Sequence, residues 1–216
     1  MTELTFEPMR RAMVASQLRT TGVNDPRVIA AMGEVARERF VPAARAALAY
    51  ADATVPLADG RGLNPPMALG RLLTEAQLRG DERALVIAAG TGYAAAVLAR
   101  LVPSVIALEE DAALAATARE TLAGTGVTLV EGPLAEGWAA GAPYDFILID
   151  GAVEYLPPAI VDQAADGGRI GLALLDRGVT RLAMGRVAGG AFGLTTFADA
   201  AVAILPGFEK PRNFIF

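Results

Sequence analysis

Cysteine and histidine are both absent from this chain. The first absence excludes disulfides and thiolate metal sites. The second removes the usual general base near neutral pH and the commonest zinc ligand. Together they exclude Ser–His hydrolase and Cys–His protease chemistry, and no metal site is expected. Cations are in deficit: the net charge is −5, with a pI near 4.9. Phosphate backbones are held by clustered cations, so no nucleic-acid partner is expected. The small basic spot Arg37-Glu38-Arg39 is interrupted by acid and reads as solvated surface. No segment approaches ~20 uninterrupted apolar residues, so no membrane span is expected. The first residues, Met1 to Phe6, carry Glu3 and lack the basic start and apolar core of a secretory signal, which makes the cytoplasm the expected location.

What is present is a globular composition: 216 residues, 53% apolar and 20% charged, enough for a sizeable core. Met9, Met13 and Leu18 form a loose helical stripe through residues 7–19. Asp25-Pro26 is a helix start, with Asp25 as cap and Pro26 in the first turn. Pro42–Ala49 is a further short helical candidate. From Tyr50 to Pro66, glycine and proline make a long loop of the kind that often carries function. A helix over Pro66–Leu78 should close at Gly80.

Beyond residue 80 the rhythm changes. Apolar runs at Ala84–Ala89, Val105–Leu108, Val127–Val130, Phe146–Ile149 and Ile170–Leu175 suit buried strands. Helical patterns lie between them at Ala94–Leu101, Ala112–Leu122 and Pro157–Ala165. Such alternation indicates a parallel sheet covered on both faces. Leu182–Val187 and Phe192–Leu205 flank Gly189-Gly190 and read as a β-hairpin. The expected fold is therefore α/β: a doubly wound, mostly parallel, Rossmann-like sheet ending in an antiparallel hairpin, with an N-terminal helical extension. We expect one domain over 1–216, with a helical and loop region at 1–80 and the α/β core at 81–216.

Gly90-Thr91-Gly92 falls where the first core strand meets its helix, and Glu109 follows Gly90 by 19 residues, after the second strand. Glycine admits close backbone approach, helix N-termini favour anionic groups, and an acid at this offset suits ribose hydroxyls. An adenosine-containing ligand fits this layout. A tight strand–helix turn and a helix-capping acid are the plainer alternatives. Asp150 ends the fourth strand, at the sheet edge where ligands bind, or is an ordinary turn aspartate. Trp138 either stacks on an adenine or covers a helix.

These residues carry a family resemblance. Met13-Val14-Ala15-Ser16-Gln17-Leu18-Arg19, Gly22-Val23-Asn24-Asp25-Pro26-Arg27-Val28 and Val35-Ala36-Arg37-Glu38-Arg39-Phe40-Val41-Pro42 resemble the N-terminal region of protein-L-isoaspartate O-methyltransferases. Tyr50-Ala51-Asp52 and Val55-Pro56-Leu57 continue the likeness. Gly90-Thr91-Gly92-Tyr93 is similar to the family's cofactor turn, and Pro143-Tyr144-Asp145-Phe146-Ile147 and Asp166-Gly167-Gly168-Arg169-Ile170 to its later strands. The likeness spans residues 9–190. The closing Leu205-Pro206-Gly207-Phe208 with Phe214-Ile215-Phe216 resembles an alphaproteobacterial-type subgroup.

The resemblance implies a class I methyltransferase fold, S-adenosylmethionine as cofactor, and a protein or peptide acceptor bearing an isoaspartyl-like carboxylate. It implies cofactor contacts from Ala88, Gly90, Thr91, Gly92, Glu109, Pro133, Leu134 and Asp150, and places Asn64 near the transferred methyl. A homodimer is a further expectation. The chain departs from the pattern at the reacting end. The family's threonine and hydroxyl-bearing serine are Gly62 and Asn64, the acid of its first strand is Val86, and its first turn glycine is Ala88. Its Gly-Asp-Gly becomes Gly132-Pro133-Leu134. Two other readings follow: a non-catalytic, methyltransferase-like binding protein, and an NAD-type dehydrogenase, against which Ala95 stands where the third glycine would be.

Overall fold

The computed structural model describes residues 5–58 and 60–210. The expectations for Met1–Leu4 and for Phe214-Ile215-Phe216 lie outside them. Helix α1 (Phe6–Ala12) widens into a π-helical turn at Met13–Leu18, tightens at Arg19–Thr21, and stops at Gly22, whose φ is 90°. The Asp25 carboxylate accepts from the Arg27 amide at 2.8 Å and starts α2 (Pro26–Glu34), which buries Val28, Ala31 and Met32. A 3₁₀ segment covers Ala43–Leu48. In the long loop, β1 (Val55–Pro56) and β2 (Gly62–Leu63) pair antiparallel as a small arm.

Helix α3 (Pro66–Ala76) ends earlier than its sequence suggests. Gln77, at φ 49°, takes the left-handed position expected of Gly80. The cause is a distant side chain: Arg169 Nη1 donates to the Ala76 carbonyl at 2.6 Å and fixes the last turn there.

The main sheet contains β3 (Arg83–Ile87), β4 (Ser104–Glu109), β5 (Thr128–Glu131), β6 (Tyr144–Val153), β7 (Ala164–Asp176), β8 (Val179–Ala188) and β9 (Ala191–Asp199). Their order is β5-β4-β3-β6-β7-β8-β9. The first five are parallel, and β7-β8-β9 are antiparallel. Strand order reverses beside β3, so the crevice at the carboxyl ends of β3, β4 and β6 is the place for a ligand. Alternation along β3 serves both faces. Ala84 and Val86 join the apolar cluster that includes Met13, Met32 and Leu73 of the N-terminal helices, while Leu85 and Ile87 join the one around Ile147, Ile170 and Phe208. Helix α4 (Tyr93–Leu98), wholly buried and rich in alanine, lies close to the sheet.

Three further boundaries moved. The helix expected over Pro157–Ala165 is only α6 (Pro158–Val161), because Ala164 already pairs with Tyr144 in β7. The antiparallel part is a three-strand meander. Arg177-Gly178 turns with φ 50° and 81°, as Gly189-Gly190 does with 57° and 79°, the twist-matched hairpin geometry. The last strand stops at Asp199, and the chain then returns over β6. Ala152 N donates to Ala203 O at 2.8 Å, and Leu205 N to Ala152 O at 2.9 Å. No helix among the described residues is long and apolar enough to cross a membrane.

Arg169 and Glu82 form a buried ion pair beneath the sheet, 6% and 1% exposed. Arg169→Ala leaves the buried Glu82 carboxylate with only the Arg79 amide and the exposed Arg79 guanidinium, and frees the α3 terminus. Urea unfolding should show a loss of about 3–5 kcal/mol, the usual cost of breaking a buried pair.

Candidate functional site

Between β3 and α4 the chain makes a tight turn with Ala88 at φ 63°, Gly90 at 58° and Gly92 at 97°. Ala88 occupies a conformation that costs a non-glycine residue about 1–2 kcal/mol, which explains why the family pattern has glycine there. A side chain at Gly92 would meet Leu122 at 2.7 Å, and one at Gly90 would meet Leu57 at 3.4 Å. Gly92 thus lets α5 (Ala112–Thr121) and its following residue close on the turn, while Gly90 presents bare backbone toward the arm. Thr91 does not face the crevice. Its hydroxyl donates to Phe40 O and its carbonyl accepts from Thr121, both at 2.6 Å.

Glu109, at the end of β4, is fully buried. Its Oε2 accepts from Gly90 N at 2.6 Å, and its Oε1 from the amides of Glu110 and Asp111 at 3.0 and 3.1 Å. Arg61 completes the shell as a bidentate partner, with Nη1 to Oε1 and Nη2 to Oε2, both at 2.8 Å. The acid therefore ties the turn to the β4–α5 junction and to the arm.

Asp150 does not end its strand as the sequence suggests: β6 continues to Val153, and Asp150 sits where its pairing with β7 shifts register between Leu148 and Ala152. There the Asp150 carbonyl and Oδ1 accept from Asn64 Nδ2 at 3.0 and 2.9 Å. Asn64 Oδ1 accepts from Ala203 N at 2.8 Å, and Asn64 O from Arg37 Nη2 at 2.5 Å. Every polar group of this side chain is engaged. Asn64 is a clamp joining the arm, β6 and the returning C-terminal segment.

Arg37, read from sequence as solvated surface, is completely buried. The acid beside it misled that reading: Glu38 turns aside to accept from the Tyr50 hydroxyl, while Arg37 Nε donates to Ala49 O at 2.6 Å. The Arg37 guanidinium also lies 4.6 Å from the Tyr93 ring centre. Burial pulls its pKa down, opposed by Tyr93 and by the negative charge of Asp150. The Tyr93 hydroxyl is buried without a hydrogen-bond partner, and burial pushes its pKa up. For Asp150, desolvation raises the pKa, and the Asn64 hydrogen bond with Arg37 and Arg61 pulls the other way.

The structure thus brings Ala88, Gly90, Gly92, Glu109, Asp150 and Asn64 to one end of the sheet. Pro133 and Leu134 lie at its flank after β5, where Leu134 N donates to Glu110 at 3.4 Å and its side chain is buried. A side chain at Gly132 would meet the Trp138 ring at 3.6 Å. Val86 lies in the core, so its replacement of an acid does not strip the pocket rim of a polar group. Sequence reasoning missed Arg37 and Arg61. The apolar residues around Arg37 (Val35, Phe40, Val41) were an available signal; for Arg61 only its flanking glycines were. Beside the arm, a cleft of about 630 Å³ is lined by Arg45, Leu57, Arg61, Gly178, Thr180 and Val202, among others. Among the described residues no group of three His, Cys, Asp or Glu side chains is placed to hold a metal.

Sheet order, crevice and buried acid define a class I methyltransferase-type α/β fold, and comparison with known proteins narrows this. The model of the protein-L-isoaspartate(D-aspartate) O-methyltransferase family matches residues 9–182. Protein-L-isoaspartate O-methyltransferase 1 of Rhodopseudomonas palustris (strain HaA2) is 41% identical over 168 residues, 76% of this chain and 69% of the relative. The Methylorubrum populi enzyme of that name is 43% identical over 163 residues, 74% and 77% of the two chains. A solved protein-L-isoaspartate O-methyltransferase superposes with a TM-score of 0.80 at 22% identity, over 93% of this chain and 67% of that one. A Plasmodium falciparum structure with S-adenosyl-L-homocysteine gives 0.76 at 18%, over 94% and 99%. These two superpositions show the fold. The chain belongs to the protein-L-isoaspartate O-methyltransferase family.

Two predictions follow from the clamp. Asn64→Ala leaves the Ala203 amide and the Asp150 carboxyl short of partners. It should cost about 1–3 kcal/mol in chemical denaturation and speed hydrogen exchange at Ala203. Asp150 has a raised folded-state pKa, so its favourable contribution is complete below the ordinary carboxylate range and is lost as pH rises through the raised value. Asp150→Asn removes that titration. Its melting temperature should match the parent in acid and exceed it increasingly toward neutral pH.

Proposed function

We infer that the protein transfers a methyl group from S-adenosylmethionine to the carboxylate of isoaspartyl residues in damaged proteins or peptides. The observation that carries this reading is Glu109, a buried carboxylate bonded to the Gly90 amide at the crevice of a chain that belongs to this family. The residues fit the cofactor's chemistry. A carboxylate with two oxygens on one side suits a vicinal diol, and Gly90 offers backbone without a side chain on the arm-facing side.

In this reading Glu109 takes the ribose hydroxyls, and Ala88, Gly90 and Gly92 border the methionine portion. Pro133 and Leu134 border the adenine, and Asp150 lies at the reacting end. The cofactor supplies a methyl group already activated on a sulfonium. The protein's task is then to hold an acceptor carboxylate in line and to exclude water. Neither metal nor histidine is needed for that. Asn64, with its amide engaged by Asp150 and Ala203, serves as a positioning residue and does not touch the reacting atoms. A cytoplasmic setting belongs to the same reading, supported by the permanent charge of the sulfonium donor, which a bilayer opposes.

Calorimetry with S-adenosylhomocysteine, followed by a radiolabelled methyl assay on an isoaspartyl peptide, tests the assignment. Heat of binding and label incorporation are expected; silence at millimolar ligand sinks it. Glu109→Ala deletes two acceptors worth about 1–1.5 kcal/mol each, so affinity should fall on the order of 100-fold.

A further inference from the structure

The carboxylate assigned to the ribose is already saturated. Glu109 Oε1 accepts three hydrogen bonds and Oε2 two, one on each oxygen from Arg61. A carboxylate offers about four lone-pair sites, so nothing is left for a diol while Arg61 stays in place. The three backbone amides are fixed by the turn and by the start of α5. Arg61 alone is a side-chain donor, carried by the β1–β2 arm, whose strands are two residues each.

The arm covers the turn as well. Leu57 lies against Gly90, and local bonds, Leu57 N to Arg61 O at 2.9 Å and Arg61 N to Ala58 O at 2.7 Å, make Leu57 and Arg61 move together. Arg61 also lines the open cleft beside the arm, which offers its guanidinium a place on leaving Glu109. When it leaves, Glu109 keeps three amide donors, so its charge stays supported.

We propose that Arg61 is a built-in competitor for the cofactor: its guanidinium occupies the ribose-binding carboxylate, and the arm must release it before S-adenosylmethionine can bind. The inference rests on Glu109 being the ribose acid. Charge-assisted bidentate bonds are stronger than hydroxyl–carboxylate bonds. Exchange therefore limits the binding-competent population, and apparent affinity scales with that fraction.

The test measures S-adenosylhomocysteine binding by calorimetry to the parent and to Arg61→Met, which keeps an apolar stem and removes the guanidinium. The variant should bind about tenfold more tightly or better, corresponding to a parent arm released about one-tenth of the time. Amide exchange at Leu57 and Arg61 without ligand should be faster when residue 61 is methionine. Should that variant lack a cooperative melt, Arg61→Lys, which keeps charge but cannot form the two-point contact, is expected to bind more tightly than the parent. Binding by the parent with equal or weaker binding by the variants overturns the competitor role and leaves the cofactor reading standing. No heat from parent or variants overturns both. Unchanged exchange at Leu57 and Arg61 in the methionine variant also overturns it, since the arm would then be held by something else.

Discussion

The structure around the crevice depends on one buried negative charge. Glu109 reaches the β3–α4 turn through Gly90, the start of α5 through Glu110 and Asp111, and the arm through Arg61. An isolated carboxylate in that position would be strongly disfavoured by desolvation. Its shell of five donors makes it tenable, and the same shell fixes where three separate segments meet. Binding chemistry and architecture are thus the same set of hydrogen bonds, so the crevice is formed by the fold.

A second set of constraints lies on the other side of β3. Arg37 gives Ala49 and Asn64 their carbonyl partners and stacks on Tyr93, and Asn64 passes the linkage on to Asp150 and Ala203. The region before residue 80 is therefore a wall of the site. This accounts for the recognisable sequence of that region: Phe40, Arg37 and the arm each touch the turn or its neighbours. In the described residues the apolar cluster beneath them runs without a break from Met13 to Ala200.

Much of this was legible in the chain. Strand and helix alternation depends on local periodicity, and the five parallel strands, the Asp25 cap and the Gly189-Gly190 turn all follow from short-range chemistry. Family membership was legible too, from the N-terminal segments and the cofactor turn. What escaped depends on distance. Helix α3 ends where Arg169, 93 residues away, reaches its carbonyl. Arg37 reads as surface because burial of a guanidinium is set by carbonyls far along the chain. Arg61 drew no notice within its loop because its partner is 48 residues on. Asn64 was placed at the reacting methyl by position in a motif, and its engagement with Ala203 could not be read from that motif.

The return of residues 200–208 over β6 bears on how the protein is made. The turn, the acid and the arm are all synthesised by residue 111, and their mutual contacts can form as soon as β3 and β4 pair. The Asn64 clamp must wait for Ala203, a separation of 139 residues. Closing so long a loop is entropically slow, and chains emerge from the ribosome N-terminus first. The nucleotide end of the crevice can therefore take shape on a nascent chain, while the reacting end assembles only after Ala203 has emerged.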